Sequence, residues 1–275
     1  MRVAFLVAEL GRSGGMEVIR EYARRLDDAV LVVCSGEPPS AVEGGLTVRR
    51  LAEMEDEPPV DVAIATWWTT TEALWKLRAG RRAVLLQGQD FAYYRDDEPS
   101  DRLGAQAVFD LPVDWLAVSP HLARFVELLR PGASAHLVPP GIDKTVFSIA
   151  PVRRAAGEPL RVLVEGQPTL WFKGITESIA AVRGMSLPAS VTLAAAEPGP
   201  AARDSGADRV IGGLDSEGMA ALYAEHDVLL KLSRFEGLGL PVLEGFHTGL
   251  PCVVTPFGGM DGVVEHGING LVVGF

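Results

Sequence analysis

The 275-residue sequence lacks any apolar run approaching the ~18 residues of a membrane-spanning helix. Met1-Arg2 leads straight into the short apolar run Val3 to Ala8, which reads as a strand rather than the core of a signal peptide. Cysteine is scarce. Cys34 and Cys252 fall on separate predicted strands far apart in sequence, so buried thiols are expected instead of a disulfide, and with them a cytoplasmic location. Basic charge is in deficit: 25 Lys and Arg stand against 36 Asp and Glu, and the net charge of −11 argues against nucleic acid as a partner. No Asp-x-Asp pair is present to hold a metal-bound diphosphate, and Glu55-Asp56-Glu57, before Pro58-Pro59, reads as a solvated acidic run. No repeat of solenoid length is visible.

What is present is an alternation of strand-like and helix-like segments, the pattern of an α/β protein with parallel sheets. In the first half, strands are expected at 3–8, 30–34, 46–51, 60–66, 82–86 and 115–119. Helices are expected at 16–26, 70–78 and 121–129, with a Gly-rich loop at 11–15 and a polar segment at 96–101. The stretch 150–159 is linker-like. A second set follows, with strands at 160–165, 190–194, 209–211, 228–232, 252–255 and 271–273, and helices at 174–183, 216–225, 242–248 and 260–265. The economical architecture is two Rossmann-like domains, 1–150 and 151–275, with parallel sheets facing across a cleft and ligands beyond the C-terminal strand ends. The sequence stops directly after the last predicted strand. The second domain is therefore expected to be incomplete at its C-terminus, covered by a missing segment or a partner chain.

The most informative stretch runs from Arg234 to Glu244 (RFEGLGLPVLE). Two carboxylates flank a Gly-rich bend, and Pro241 stands where a helix would begin, a position at which its missing N–H is harmless. Glu236 then lies on the entering loop and Glu244 about one turn inside the helix. Small residues let the amides near Gly239 and Leu240 approach a ligand, and a helix N-terminus favours phosphate. A carboxylate accepts paired hydrogen bonds from a sugar diol. Phosphate and diol recognition together indicate a nucleotide-sugar site.

With Gly14-Gly15-Met16-Glu17, Val118-Ser119, the Val138 to Asp143 turn (VPPGID), Phe172-Lys173-Gly174, Gly249-Leu250-Pro251 and Glu265-Gly267-Asn269-Gly270, this block forms an ordered set. The set resembles the retaining glycosyltransferases of family 4, which have the GT-B fold, and the likeness runs through the whole chain. The resemblance implies that Glu236 binds donor hexose hydroxyls and Glu244 the ribose diol. It implies that amides near Gly239 and Leu240 hold the diphosphate and that Lys173 neutralises it. Gly14 and Gly15 would approach the donor, and Gly213, in the Gly212-Gly213-Leu214 turn, would lie near the base. It further implies transfer from a nucleoside diphosphate sugar with retention, without a protein nucleophile. No cofactor or divalent metal is expected. At ~5 Å and an effective dielectric of ~20, each charge pair is worth about 3 kcal/mol, so Lys173 and amide dipoles suit the role of a metal.

The sequence departs from that pattern at two positions. Gln167, a donor-binding candidate, stands where many members carry Arg, and an amide cannot replace a guanidinium on a diphosphate; Arg234 or Arg203 are the candidate substitutes. Gln87 takes the place of an active-site His. Gln87, Asp90 and Trp67 are weak acceptor-side candidates, with packing or capping roles open for Asp90 and for Trp67-Trp68. His121 reads as an exposed residue near a helix start. Lys76, Arg78, Arg81 and Arg82 read either as a solvated helix end or as a peripheral contact with an anionic membrane surface. The acceptor class stays open among a glycan, a lipid-linked sugar and a small molecule. The alternatives are a non-catalytic nucleotide-sugar-binding partner subunit and an epimerase on the same fold, the latter disfavoured because no acid/base pair is evident at the hexose.

Overall fold

A computed structural model describes residues 1–11, 13–36 and 42–274. Arg12, in the expected Gly-rich loop, and Phe275 lie outside the described residues. Two compact units divide the chain, Met1–Pro140 and Gly141–Phe275.

The first unit contains β1 (Arg2–Val7), α1 (Gly14–Arg24), β2 (Asp28–Val33), β3 (Val42–Glu43), β4 (Leu46–Arg50) and β5 (Val60–Ala65). These are followed by β6 (Ala79–Leu86), α2 (Pro99–Ala107), β7 (Asp114–Ala117), α3 (Pro120–Leu129) and β8 (Ala135–Leu137). The sheet order is β3-β4-β2-β1-β5-β6-β7-β8, parallel except for the β3–β4 pair. Strand β1 is buried almost throughout, as a central strand covered on both faces must be. The chain leaves β1 on one side toward β2 and returns to its other side with β5. That reversal opens a crevice beyond the C-terminal strand ends.

The second unit contains β9 (Leu160–Glu165), α4 (Ile175–Arg183), β10 (Ala189–Ala195), α5 (Pro200–Arg203) and β11 (Arg209–Gly212). It continues with α6 (Ser216–Ala224), β12 (Val228–Lys231), α7 (Leu240–His247), β13 (Cys252–Val254) and β14 (Gly270–Val272). Its all-parallel sheet runs β11-β10-β9-β12-β13-β14, with the order reversing between β9 and β12. Leu163, Leu229, Val242, Leu250 and Val254 pack on one face of this sheet, and Val164, Ile175, Val191 and Leu193 on the other.

Local chemistry explains the departures from expectation. Helix α1 starts at Gly14, because Ser13 Oγ accepts from the Met16 amide at 3.1 Å and caps it there; Gly14 and Gly15 are thus its first turn. The expected helix at 70–78 is a 3₁₀ segment, Trp68–Trp75, in which the Thr70 and Thr71 hydroxyls donate back to the Trp67 and Trp68 carbonyls. The polar segment 96–101 runs into α2, which begins at Pro99; Gly104 in that helix lets it lie against the Trp68 ring. The expected helix at 260–265 is absent. A short 3₁₀ turn, Gly258–Met260, ends before Gly262, whose φ of 74° turns the chain out of helix.

Gly174 ends the Trp171–Lys173 turn in the left-handed region (φ 63°) and begins α4. A Cβ there would overlap the Leu232 carbonyl oxygen. Gly174→Ala is expected to destabilise the second domain by more than about 2 kcal/mol, from left-handed strain plus the backbone clash. Urea denaturation measures this; a loss below about 0.5 kcal/mol, the range of neutral surface changes, would contradict it.

Candidate active site

The C-terminal ends of β9 and β12 lie side by side where the second sheet reverses order, since Val164 pairs with Leu230. The next residues along are Glu165 and Lys231. Lys231 Nζ lies 2.8 Å from Glu165 Oε2 and 2.8 Å from Glu236 Oε1. Lys173 Nζ approaches the same Glu236 Oε1 at 2.8 Å, and Ser233 Oγ donates to it at 2.9 Å. One oxygen of Glu236 therefore receives three donors. Its Oε2 has no hydrogen-bond partner among the described residues, and the side chain is 12% exposed.

Burial works against ionisation of Glu236, but Lys231 and then Lys173 outweigh it and hold the carboxyl down at about 2. Lys231 is fully buried. Burial alone would lower its pKa, yet Glu165 and Glu236 reverse the sign and keep it protonated.

Glu244 sits in the second turn of α7 and accepts from the Tyr223 hydroxyl at 2.8 Å. Burial pushes its carboxyl up to about 7; the Tyr223 bond and Lys231 oppose the rise and the charge of Glu165 adds to it. Gly239 precedes α7 in the left-handed region (φ 79°), and a Cβ there would meet the Phe257 ring at 2.8 Å. The N-cap residue of α7, Gly239, has no side chain to cap the helix. Lys173, Glu236, Gly239, Leu240 and Glu244 are thus placed on adjoining elements of one domain.

The other expected residues have partners of their own. Gln167 Nε2 donates to the Glu197 carbonyl at 2.9 Å, and its Oε1 is buried without a partner among the described residues. Arg234 pairs with Glu177 at 3.1 Å and lies over the Trp171 ring; Arg203 donates to the Pro198 carbonyl. Gly213 follows β11 with φ 69°. Lys231 and Glu165 were not singled out from the sequence. The available signal was a lysine closing the otherwise apolar strand Val228-Leu229-Leu230, where a charge needs a partner.

In the first domain, Gly14 and Gly15 open α1, and a Cβ on Gly15 would lie 3.5 Å from the Gln87 amide. Trp67, after β5, stacks on Tyr93 with centroids 6.0 Å apart, and Trp68 Nε1 donates to the Tyr94 hydroxyl at 2.7 Å. Asp90 accepts from the Trp68 amide at 3.2 Å, and burial pushes its carboxyl up to about 7. His121 is half-buried, not exposed, and its Nε2 lies 3.0 Å from Gln89 Nε2.

Residues 175–274 match the family of glycosyl transferases group 1. A stretch of 63 residues is 40% identical to N-acetyl-alpha-D-glucosaminyl L-malate synthase of Bacillus anthracis, covering 23% of this chain and 16% of that relative. The fold is similar to sucrose-phosphate synthase from Thermosynechococcus elongatus, with TM-score 0.79 and 16% identity over 100% of this chain and 86% of the other. It is also similar to HepE of Anabaena, solved in complex with UDP and glucose, with TM-score 0.73 and 15% identity over 100% and 86% of the two chains. The fold is GT-B, two parallel-sheet α/β domains, and the match to the group 1 glycosyltransferase model lies within the second of them. No helix among the described residues is long and apolar enough to cross a membrane.

The raised Glu244 carboxyl sets a pH dependence. The folded state keeps a proton that the unfolded chain releases near 4.5, so this contribution is full below about 4.5 and is lost as pH rises through about 7. A shift from 4.5 to about 7 corresponds to at most about 3 kcal/mol. Glu244→Gln is expected to abolish this slope and to be more stable than the parent above about pH 7. Urea midpoints at about pH 5 and about pH 8 test it; parallel behaviour of the two proteins would refute the assignment.

Proposed function

We propose that the protein transfers a hexosyl group from a nucleoside diphosphate sugar to an acceptor hydroxyl, with retention of anomeric configuration and without a metal. The observation that carries this reading is Glu236. One of its oxygens is fixed by two lysines and a serine, and the other has no partner among the described residues, so a well-oriented acceptor is available for sugar hydroxyls. Glu244 would take the ribose diol, the amides at Gly239 and Leu240 the diphosphate, and Lys173 the countercharge. Gly14 and Gly15 would approach the donor, and Gly213 the base.

In the proposed reaction the bond from the anomeric carbon to the phosphate oxygen breaks. The acceptor oxygen attacks from the same face, and its proton passes to the departing phosphate oxygen. The chain's part is positioning and charge stabilisation: lysine and amide dipoles at the phosphate, carboxylate on the hexose. Trp67, Asp90 and Gln87 are the proposed acceptor side, where half-buried aromatic rings offer flat apolar surface beside a carboxyl group. The UDP complex of the similar HepE supports UDP-sugars as the first donors to try.

Calorimetry with UDP-, GDP-, ADP- and dTDP-sugars, with and without EDTA, tests the donor class; no binding by any would refute it. Once a donor is known, Glu236→Ala is expected to lower kcat/KM by about a hundredfold or more. The anomeric configuration of the product, read by NMR, tests retention. Near-normal turnover in the variant or an inverted product would overturn the corresponding assignment.

A further inference from the structure

The two lysines on Glu236 Oε1 differ in a way that bears on their roles. Lys173 belongs to a short turn, and its side chain is 20% exposed. Lys231 ends a central strand, its side chain is 0% exposed, and it is anchored a second time by Glu165. A partly solvated lysine on a turn exchanges partners cheaply, because solvent can cover its ammonium during the exchange. A buried lysine between two carboxylates does not, since leaving either would strand a charge in low dielectric. Glu236, 12% exposed, therefore has one replaceable and one permanent cation on the same oxygen.

The donor diphosphate needs a cation. Without Lys231, release of Lys173 toward a phosphate would leave the Glu236 carboxylate buried with only Ser233 as a donor. With Lys231 in place, Glu236 keeps a direct ammonium contact while Lys173 moves. We propose that Lys231, anchored by Glu165, is a positioning residue that holds the Glu236 carboxylate in place and so frees Lys173 to exchange from Glu236 to the diphosphate of the donor. This rests on the donor-binding reading of Glu236 given above.

The exchange predicts coupling between the two lysines. With the nucleoside diphosphate selected by the calorimetric panel, Lys173→Met in the parent is expected to weaken binding by about tenfold or more, the cost of one charge-assisted contact. In a Lys231→Met background Lys173 stays committed to Glu236. Removing it should then cost less than about twofold, so the two changes are strongly non-additive. In a Lys231→Arg background, which keeps the buried charge, the cost of Lys173→Met should return to about tenfold. A purely structural Lys231 would lower Tm and leave the cost of Lys173→Met unchanged, which overturns the proposal. If Lys231→Met does not fold, a structure of the parent with the nucleoside diphosphate decides. Lys173 on a phosphate oxygen with Lys231 still on Glu236 supports the exchange, and Lys173 still on Glu236 refutes it. Failure of the parent to bind any nucleotide sugar would instead refute the donor-binding reading, and this inference with it.

Discussion

Everything proposed for the second domain depends on the convergence of Lys231, Lys173 and Ser233 on a single oxygen of Glu236. A buried carboxylate is costly unless it is paired and hydrogen-bonded, and removing one partner from such a group leaves a penalty of several kcal/mol. The cost is offset here by placing all three donors on one oxygen. That asymmetry has a chemical consequence. A carboxylate whose two oxygens were equally engaged would be a structural ion pair, whereas one anchored at a single oxygen presents the other as a fixed acceptor.

Topology explains why these groups meet. In a doubly wound sheet the loops after the two strands at the order reversal diverge, and the strand ends there are left uncovered by their own connections. In the second sheet these strands are β9 and β12, and they end at Glu165 and Lys231. The loop after β9 brings Lys173 back, and the loop after β12 carries Ser233 and Glu236 before reaching α7. Gly174 and Gly239 let both loops close tightly, each at a left-handed backbone angle that a side chain would oppose. The same reversal occurs in the first sheet between β1 and β5, with Gly14 and Gly15 following β1 and the Trp67-Trp68 pair following β5.

The parts of this that were legible in the sequence are those set by short-range rules. Alternating apolar segments indicated both parallel sheets, and Pro241 after Gly239 placed the start of α7 within a residue. The glutamates at 236 and 244 could be assigned to a loop and a helix on spacing alone. Long-range pairing was not legible. Nothing local distinguishes Lys231 as a buried cation, because its partners lie 66 residues earlier and five later and meet it only through strand register. Thr70 and Thr71 show the converse failure. The apolar spacing suggested an α-helix, but hydroxyl bonds to carbonyls three residues back favour the tighter 3₁₀ turn. Gly104, against which the Trp68 ring lies, is a further long-range contact that no local pattern announced.

Charge balance ties the two glutamates to different roles. Lys173 and Lys231 match Glu165 and Glu236, so this group of four is neutral before any ligand is considered. A fifth charge on Glu244 would make the group anionic, a poor host for a diphosphate. Burial against Tyr223, with Glu165 nearby, instead lets Glu244 keep its proton up to about pH 7. On the proposed reading, a protonated Glu244 both donates to and accepts from the ribose diol without adding charge, while the diphosphate draws Lys173 outward. A neutral Glu244 thus lets a site with three carboxyl groups, in a protein of net charge −11, admit an anionic donor on two lysines and a helix terminus.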